Sequence, residues 1–423
     1  MFKTPTNFQI LMKHSICIVF VLLSTFHVCA QEDTIDTQKI EEDFEQMISD
    51  LKNNYIYLED KNVDINCIYK QYKAKIKNIT TKEQRLLFFE YLLDEFYDSH
   101  AILMRAIWDS YRLDSPIFTI TKEGITKITQ VWTSQLDSLN VNILGAQVLK
   151  INGIDILNKI EEFPTSCADK NHPETRNWIA NKVISGKYSE PRILMLKLTS
   201  GEQIEFNLDT LKPREDKDLL TVTKRGNIGI IRLNNSLGNN FLIDAFDAAL
   251  GDLMTTDGLI LDLRNTTGGG NTYVARGIMS RFINESLPYQ IHQVFDEQWD
   301  NQPLIKRRWA EYVSPRGMQY DKPLVVLVGR WTGSMGEGMT IGFDGMNRAD
   351  IVGTEMKRLA GGSTNDFHLK NENLNYKIMT EKLFHLNGTP RELYVPEHYV
   401  NQSSIKIDET LEKGIEIILN KQP

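Results

Sequence analysis

The chain has few cysteines, no long basic run and no apolar run long enough to cross a bilayer. Each absence excludes something. Of four cysteines in 423 residues, Cys17 and Cys29 fall within the first thirty, which leaves Cys67 and Cys167. Two cysteines at that spacing carry no metal signature; they form one disulfide or remain two thiols. His368, His385 and His398 stand at no ligand spacing, so no metal and no other cofactor is expected. A formal net charge of −8 argues against nucleic acid as the main partner. The apolar run at 16–23 is too short to span a membrane.

That run has another use. Lys3 and Lys13 precede it, and Val28-Cys29-Ala30 follows with tolerable residues for a signal peptidase. Residues 1–30 therefore read as a signal peptide cleaved after Ala30, with export to the periplasm or the medium. A lipoprotein acylated at Cys29 is disfavoured by the bulk of Val28.

Residues 35–97 read as helical. Ile40, Phe44, Met47, Ile48, Leu51 and Tyr55 recur at three- and four-residue spacing, a second helix covers 65–76, and Thr80-Thr81 opens a third. Glu83 and Gln84 stand where a capping box needs them. The third helix ends at Tyr97-Asp98-Ser99-His100. Residues 113–217 change to short alternating strands, with an Asn152-Gly153 hairpin turn and one helix at 173–185. From residue 221 strands alternate with helices, which calls for a largely parallel sheet. Chemistry in such sheets sits at the carboxyl ends of the strands.

Two of those ends stand out. A Val-rich strand at 323–328 runs into a loop, then Gly333, Ser334, Gly336 and Gly338, then an apolar helix. A serine there is ordinarily a helix cap. It is also placed where backbone N–H groups can stabilise negative charge developing beside it. The strand at 258–263 leads into Arg264-Asn265-Thr266-Thr267 and the glycines 268–270. Glycines there let backbone approach a ligand closely; the missing Gly-Lys-Ser/Thr excludes a phosphate loop.

GLILDLRNTTGGG, PLVVLVGRWTGSMGEGMTIGF and ADIVGTE, in this order, resemble the tail-specific, or C-terminal-processing, serine peptidases. LGAQVLKINGIDI resembles the PDZ module those enzymes carry, and DETLEKGIEIIL their last helix. The family's serine–lysine arrangement fits poorly: Lys357 lacks flanking glycines and its register is wrong. The tricorn-like branch, with a serine–histidine pair ending the helical region, fits Ser99-His100. The resemblance implies Ser334 as nucleophile, three residues before Glu337, and His100 as general base. It implies Ser99 in the hydrogen-bond chain to an acidic member, matched by Glu392. Gly269 and Met335 match the oxyanion donors, with the choice among 268–270 open. Thr266-Thr267 departs from the family's Asn-Pro or Asn-Gly pair, and Glu397 stands where aspartate is usual.

The expected fold is α/β: a crotonase/ClpP-like core on a parallel sheet, an N-terminal helical region and an inserted PDZ-like, β-rich module. The expected divisions are 1–30 leader, 31–112 helical region, 113–217 module and 218–423 catalytic core. The expected activity is that of a secreted serine endopeptidase on peptides or unfolded protein tails. The alternative is a catalytically silent ligand- or peptide-binding protein on the same scaffold. The deciding geometry is whether His100 comes within reach of Ser334.

Overall fold

In the helical region, α1 (Thr37–Asn54) starts at Asp36, whose carboxylate accepts the N–H groups of Gln38 and Lys39. It buries the stripe Ile40, Phe44, Met47, Ile48 and Leu51 that its spacing requires. Asp64 caps α2 (Ile65–Lys75). At the start of α3 (Lys82–Asp94), Thr81 Oγ1 accepts the Gln84 N–H at 3.1 Å, and Gln84 Oε1 accepts the Thr80 N–H at 2.8 Å. The reciprocal cap thus forms through Gln84. After α3 the chain turns through Tyr97, enters β1 (Ile102–Leu103) and leaves the region. The computed structural model describes residues 35–421 except 62, 138, 297–304, 364–365 and 373; the leader expected at 1–30 lies outside them.

The middle segment folds as β2 (Ile117–Lys122), β3 (Ile125–Val131), β4 (Gln147–Ile151), β5 (Ile154–Asp155), α4 (Ile156–Glu161), α5 (Pro173–Ser185), β6 (Ile193–Lys197) and β7 (Gln203–Asn207). Its sheet runs β2-β3-β4-β6-β7, with β5 paired to β4. Asn152 and Gly153 take φ of 50° and 78°, the two positive values a tight hairpin turn needs. The segment has its own core, with Ile128, Val148, Ile160, Ile179, Leu194 and Leu196 fully buried. Cys67 of α2 is bonded to Cys167 in this segment, with Cα atoms 5.8 Å apart, which decides between the two open readings of the cysteines.

The remainder contains β8 (Leu220–Arg225), β9 (Ile228–Leu233), α6 (Leu242–Gly251), β10 (Gly258–Asp262), α7 (Thr272–Met279), β11 (Leu287–Asp296), β12 (Ile305–Val313), β13 (Leu324–Val328) and α8 (Met335–Gly345). It continues through β14 (Asp350–Gly353), β15 (Phe367–His368), β16 (Asn375–Lys377), β17 (Lys382–Phe384), β18 (His398–Tyr399) and α9 (Glu409–Asn420). The central sheet has the order β18-β14-β13-β10-β9-β8. Every pairing from β9 to β18 is parallel; only β8 runs antiparallel. Leu261 and Val326 pack into a core shared with α6, α7 and α8, while Ile260, Val325 and Leu327 face Ile417 and Ile418 of α9. Burial on both faces explains why these strands are continuously apolar.

Two contacts position the site. Trp331, in the loop before Ser334, stacks on Trp132 of the middle segment with ring centroids 5.2 Å apart. Pairing of β1 with β16 sets Ile102 opposite Lys377, which brings the end of the helical region against the C-terminal part of the chain.

Candidate active site

Ser334 sits after β13 at the N-terminus of α8 with φ 51° and ψ −110°, a costly backbone for a residue with a side chain. The small residues around it are sterically required. A Cβ on Gly269 would lie 2.3 Å from Ser334 Cβ and 2.8 Å from its Oγ, and Gly269 itself has φ 66°. A Cβ on Gly336 would lie 2.3 Å from Thr266 Oγ1, the residue that replaces the family's usual asparagine. Thr266 thus fills the floor beneath α8, with its hydroxyl donated to the Leu263 carbonyl at 2.8 Å.

Glu337, one turn into α8, is fully buried. Its carboxylate accepts the Ser334 N–H at 2.7 Å and reaches across to the N–H groups of Arg358 at 2.8 Å and Leu359 at 3.3 Å. Burial raises its pKa to about 7, against the pull of Arg391 and of those N–H donors. The segment 358–361 that it holds serves the other residues as well. Ala360 O lies 2.9 Å from His100 Nδ1, and Arg391 Nη2 donates to the carbonyls of Leu359 and Gly361 at 3.0 and 2.6 Å. Arg358 in that segment and Tyr97 before His100 also hold positive φ, 61° and 48°. Strain therefore collects at three points around one site.

His100 is buried. A carbonyl only accepts, so Nδ1 carries the proton and Nε2 the lone pair. Asp98 accepts the His100 N–H at 2.9 Å and the Tyr55 hydroxyl at 2.8 Å, which fixes the turn. Burial, then the cations Lys377 and Arg391, lowers the imidazole pKa to about 4, so the ring is neutral at pH 7. Its Nε2 faces Lys377 Nζ at 3.3 Å.

His100 and Ser334 line one cleft of about 1250 Å³, together with Ser99, Gly268, Lys357, Lys377 and Glu392. Among the described residues no hydrogen bond joins His100 to Ser334. Ser99 Oγ accepts from Trp178 Nε1 at 3.0 Å, and among the described residues no hydrogen bond joins it to Glu392, the acidic member matched to it in sequence. Glu392 has a buried Oε2 without a hydrogen-bond partner, near a Tyr57 hydroxyl in the same condition, and burial raises its pKa. The Gly269 N–H donates to Thr266 O at 3.2 Å and the Gly268 N–H to Asn235 Oδ1 at 2.7 Å. Those two N–H groups are therefore committed in this structure, whereas the Met335 N–H has no acceptor among the described residues. Lys357 is paired with Asp114 at 2.6 Å, which occupies the lysine of the poorly fitting alternative. Among the described residues no cluster of metal-binding side chains occurs, and no helix is long and apolar enough to cross a membrane.

Residues 227–398 match the family model of peptidase family S41, and residues 36–94 match that of the tricorn protease C1 domain. The chain carries an S41 peptidase domain. That domain makes it a serine-type peptidase, and its helical region is similar to the tricorn C1 domain. No curated protein sequence matches it. Mature CPAF is similar in structure with a TM-score of 0.61 at 12% identity, over 90% of this chain and 96% of that one. A peptidase from Parabacteroides merdae gives 0.52 at 16%, over 90% and 98%. The photosystem II D1 C-terminal processing protease gives 0.50 at 13%, over 88% and 96%. At such identities the likeness is one of fold.

Within the S41 domain and its surroundings, sequence reasoning missed Asp98, Arg391 and Lys377. Asp98 had a signal, an acidic residue two before His100 in a turn. Arg391 and Lys377 had none: each is a single cation in an unremarkable stretch.

Proposed function

We propose that this chain is an exported serine endopeptidase acting on peptides or unfolded protein tails, with Ser334 as nucleophile and His100 as general base. The observation that carries the reading is the single cleft holding both residues, with Ser334 strained at a helix N-terminus and His100 held as the Nδ1–H tautomer. Ser334 Oγ attacks the scissile carbonyl while His100 Nε2 takes its proton and passes it to the leaving amine. The oxyanion forms beside the Met335 N–H and the start of α8. Gly269 gives Ser334 its space, and contributes a donor only if its N–H turns from Thr266. Glu392 supplies the acidic member. Ser99, which accepts from Trp178, keeps its own hydroxyl hydrogen to donate toward Glu392, and because the His100 Nδ1–H is taken by Ala360 O, Glu392 acts on the ring by its charge. Water then hydrolyses the acyl-enzyme.

The divisions 31–112, 113–217 and 218–423 suit this reading, with a PDZ-like middle module and a crotonase/ClpP-like core. The core of the middle segment, built mainly from its own residues with Trp331 packed in, supports the first of these. Export after residue 30 suits a cross-linked Cys67 and Cys167, since disulfides persist in oxidising compartments.

One observation favours the binding-only alternative: the Ser334 and His100 side chains are not hydrogen-bonded. Hydrolysis of casein separates the two. Ser334→Ala should abolish it and leave the fold intact, and a fluorophosphonate should label Ser334. Unchanged turnover in the variant would remove Ser334 from the mechanism.

A further inference from the structure

The Nε2 lone pair that must receive the Ser334 proton points at an ammonium. Lys377 comes to that position because β16 pairs with β1, two residues beyond His100. Its Nζ lies 3.3 Å from Nε2, on the wall of the cleft. Among the described residues no carboxylate forms an ion pair with it. The charged groups that act most on His100 are Lys377 from β16, Arg391 from the turn before β18, and Asp98 from its own turn; Glu392, beside Arg391, lines the same cleft. Asp98 is already committed to Tyr55 and to the His100 N–H. Lys377 thus donates to a neutral ring and lacks the anion an ammonium prefers.

We propose that Lys377 is a positioning residue that parks His100 in a resting state, and that an acidic group of the peptide substrate releases it by pairing with the ammonium. The proposal rests on His100 being the base. The physical reason is a difference in bond strength. An ammonium–carboxylate hydrogen bond is charge-assisted on both sides, and an ammonium–imidazole bond on one only. A substrate carboxylate reaching the cleft wall draws Lys377 off Nε2 and leaves the lone pair free for Ser334. It also neutralises a cation that opposes formation of the imidazolium. Burial and Arg391 lower the pKa of Lys377 as well, so a partner of opposite charge relieves an unfavourable site.

The test compares kcat/KM across pH for two peptides that differ by one residue beside the scissile bond, Glu in one and Gln in the other. The wild-type chain should prefer the Glu peptide by about tenfold or more. Lys377→Met should raise turnover of the Gln peptide and erase the preference. It should also move the acid limb of the profile up by about one pH unit or more, since removing a like charge raises His100 basicity. Lys377→Arg, which keeps the charge and the donor, should retain the preference and the low limb. A folded Lys377→Met chain that keeps both the preference and the wild-type limb overturns the proposal. A wild-type chain indifferent to Glu or Gln overturns it too, whatever the variants do. Should Lys377→Met fail to fold, the ¹⁵N resonances of His100 in Ser334→Ala serve instead. The Glu peptide should shift Nε2 and the Gln peptide should not; equal responses overturn the proposal. His100→Ala separates the two levels: if it still turns over peptide, the assignment of the base fails independently of Lys377.

Discussion

Gly269 has no room for a side chain. The Cβ of an alanine would stand 2.3 Å from Ser334 Cβ, and φ of 66° adds backbone strain. Gly269→Ala should lower stability by about 1–3 kcal/mol and displace Ser334. The expected result is a folded chain with casein turnover and fluorophosphonate labelling both reduced by about 100-fold or more, read beside a thermal melt. Labelling at the wild-type rate would mean that the close approach is incidental. Glu337 gives a second test at this scale. It accepts N–H groups from Ser334, Arg358 and Leu359, and a glutamine amide offers one oxygen in place of two. Glu337→Gln should cut kcat more than it raises KM, because it loosens Ser334 and the segment beneath His100 together. The glycines and Ser334 were legible in the sequence because close backbone approach writes itself as glycine. Lys377 and Arg391 were not, because nothing local marks a cation whose role depends on a partner hundreds of residues away.

The parallel strands, the helices beside them and the Asn152-Gly153 turn follow from hydrophobic period and turn chemistry, which act over a few residues. The hairpin of β11 and β12 and the short pairings of β15, β16 and β17 did not emerge from sequence, since they depend on partners distant in the chain. That hairpin carries a pH-sensitive contact. His292 of β11 lies 3.0 Å from Glu311 of β12 and 2.8 Å from Glu381, and stacks on Trp309. Burial works to lower its pKa, but the two carboxylates outweigh that and raise it to about 9. A folded value above the ordinary 6.5 means that the stabilisation is complete below about pH 6.5 and is lost as pH rises through 9. The melting temperature should fall across that window, and His292→Gln should flatten the fall. The edge of the middle sheet is also closed from within. Asn181 Oδ1 accepts the Thr119 N–H at 2.9 Å and Asn177 Oδ1 the Thr121 N–H at 2.6 Å, so side chains of α5 occupy bonds an added peptide strand would use on β2.

At the scale of the whole molecule, the cleft is assembled from parts far apart in sequence. His100 arrives from the helical region, Ser334 from the central sheet and Phe118 from the middle segment, where Arg330 lies over its ring at 3.8 Å. The Trp132–Trp331 stack fastens the middle segment to the loop that leads into Ser334. Trp331 Nε1 donates to Ser115 O at 2.9 Å and Trp132 Nε1 to Arg264 O at 3.2 Å, so each indole bonds backbone across the junction. Neither indole lines the cleft that holds Ser334. Trp132→Ala should cost about 3–5 kcal/mol through lost burial. Its functional effect should separate by substrate size. A small fluorophosphonate needs only the local geometry at Ser334 and should label the folded variant at close to the wild-type rate. On the proposed function a long unfolded substrate spans both walls, so its kcat/KM should fall by about tenfold or more. Trp132→Phe keeps a ring on Trp331 and should recover most of that loss. Equal losses for the small probe and the long substrate would place the effect of the stack at Ser334 rather than at the joint between the walls.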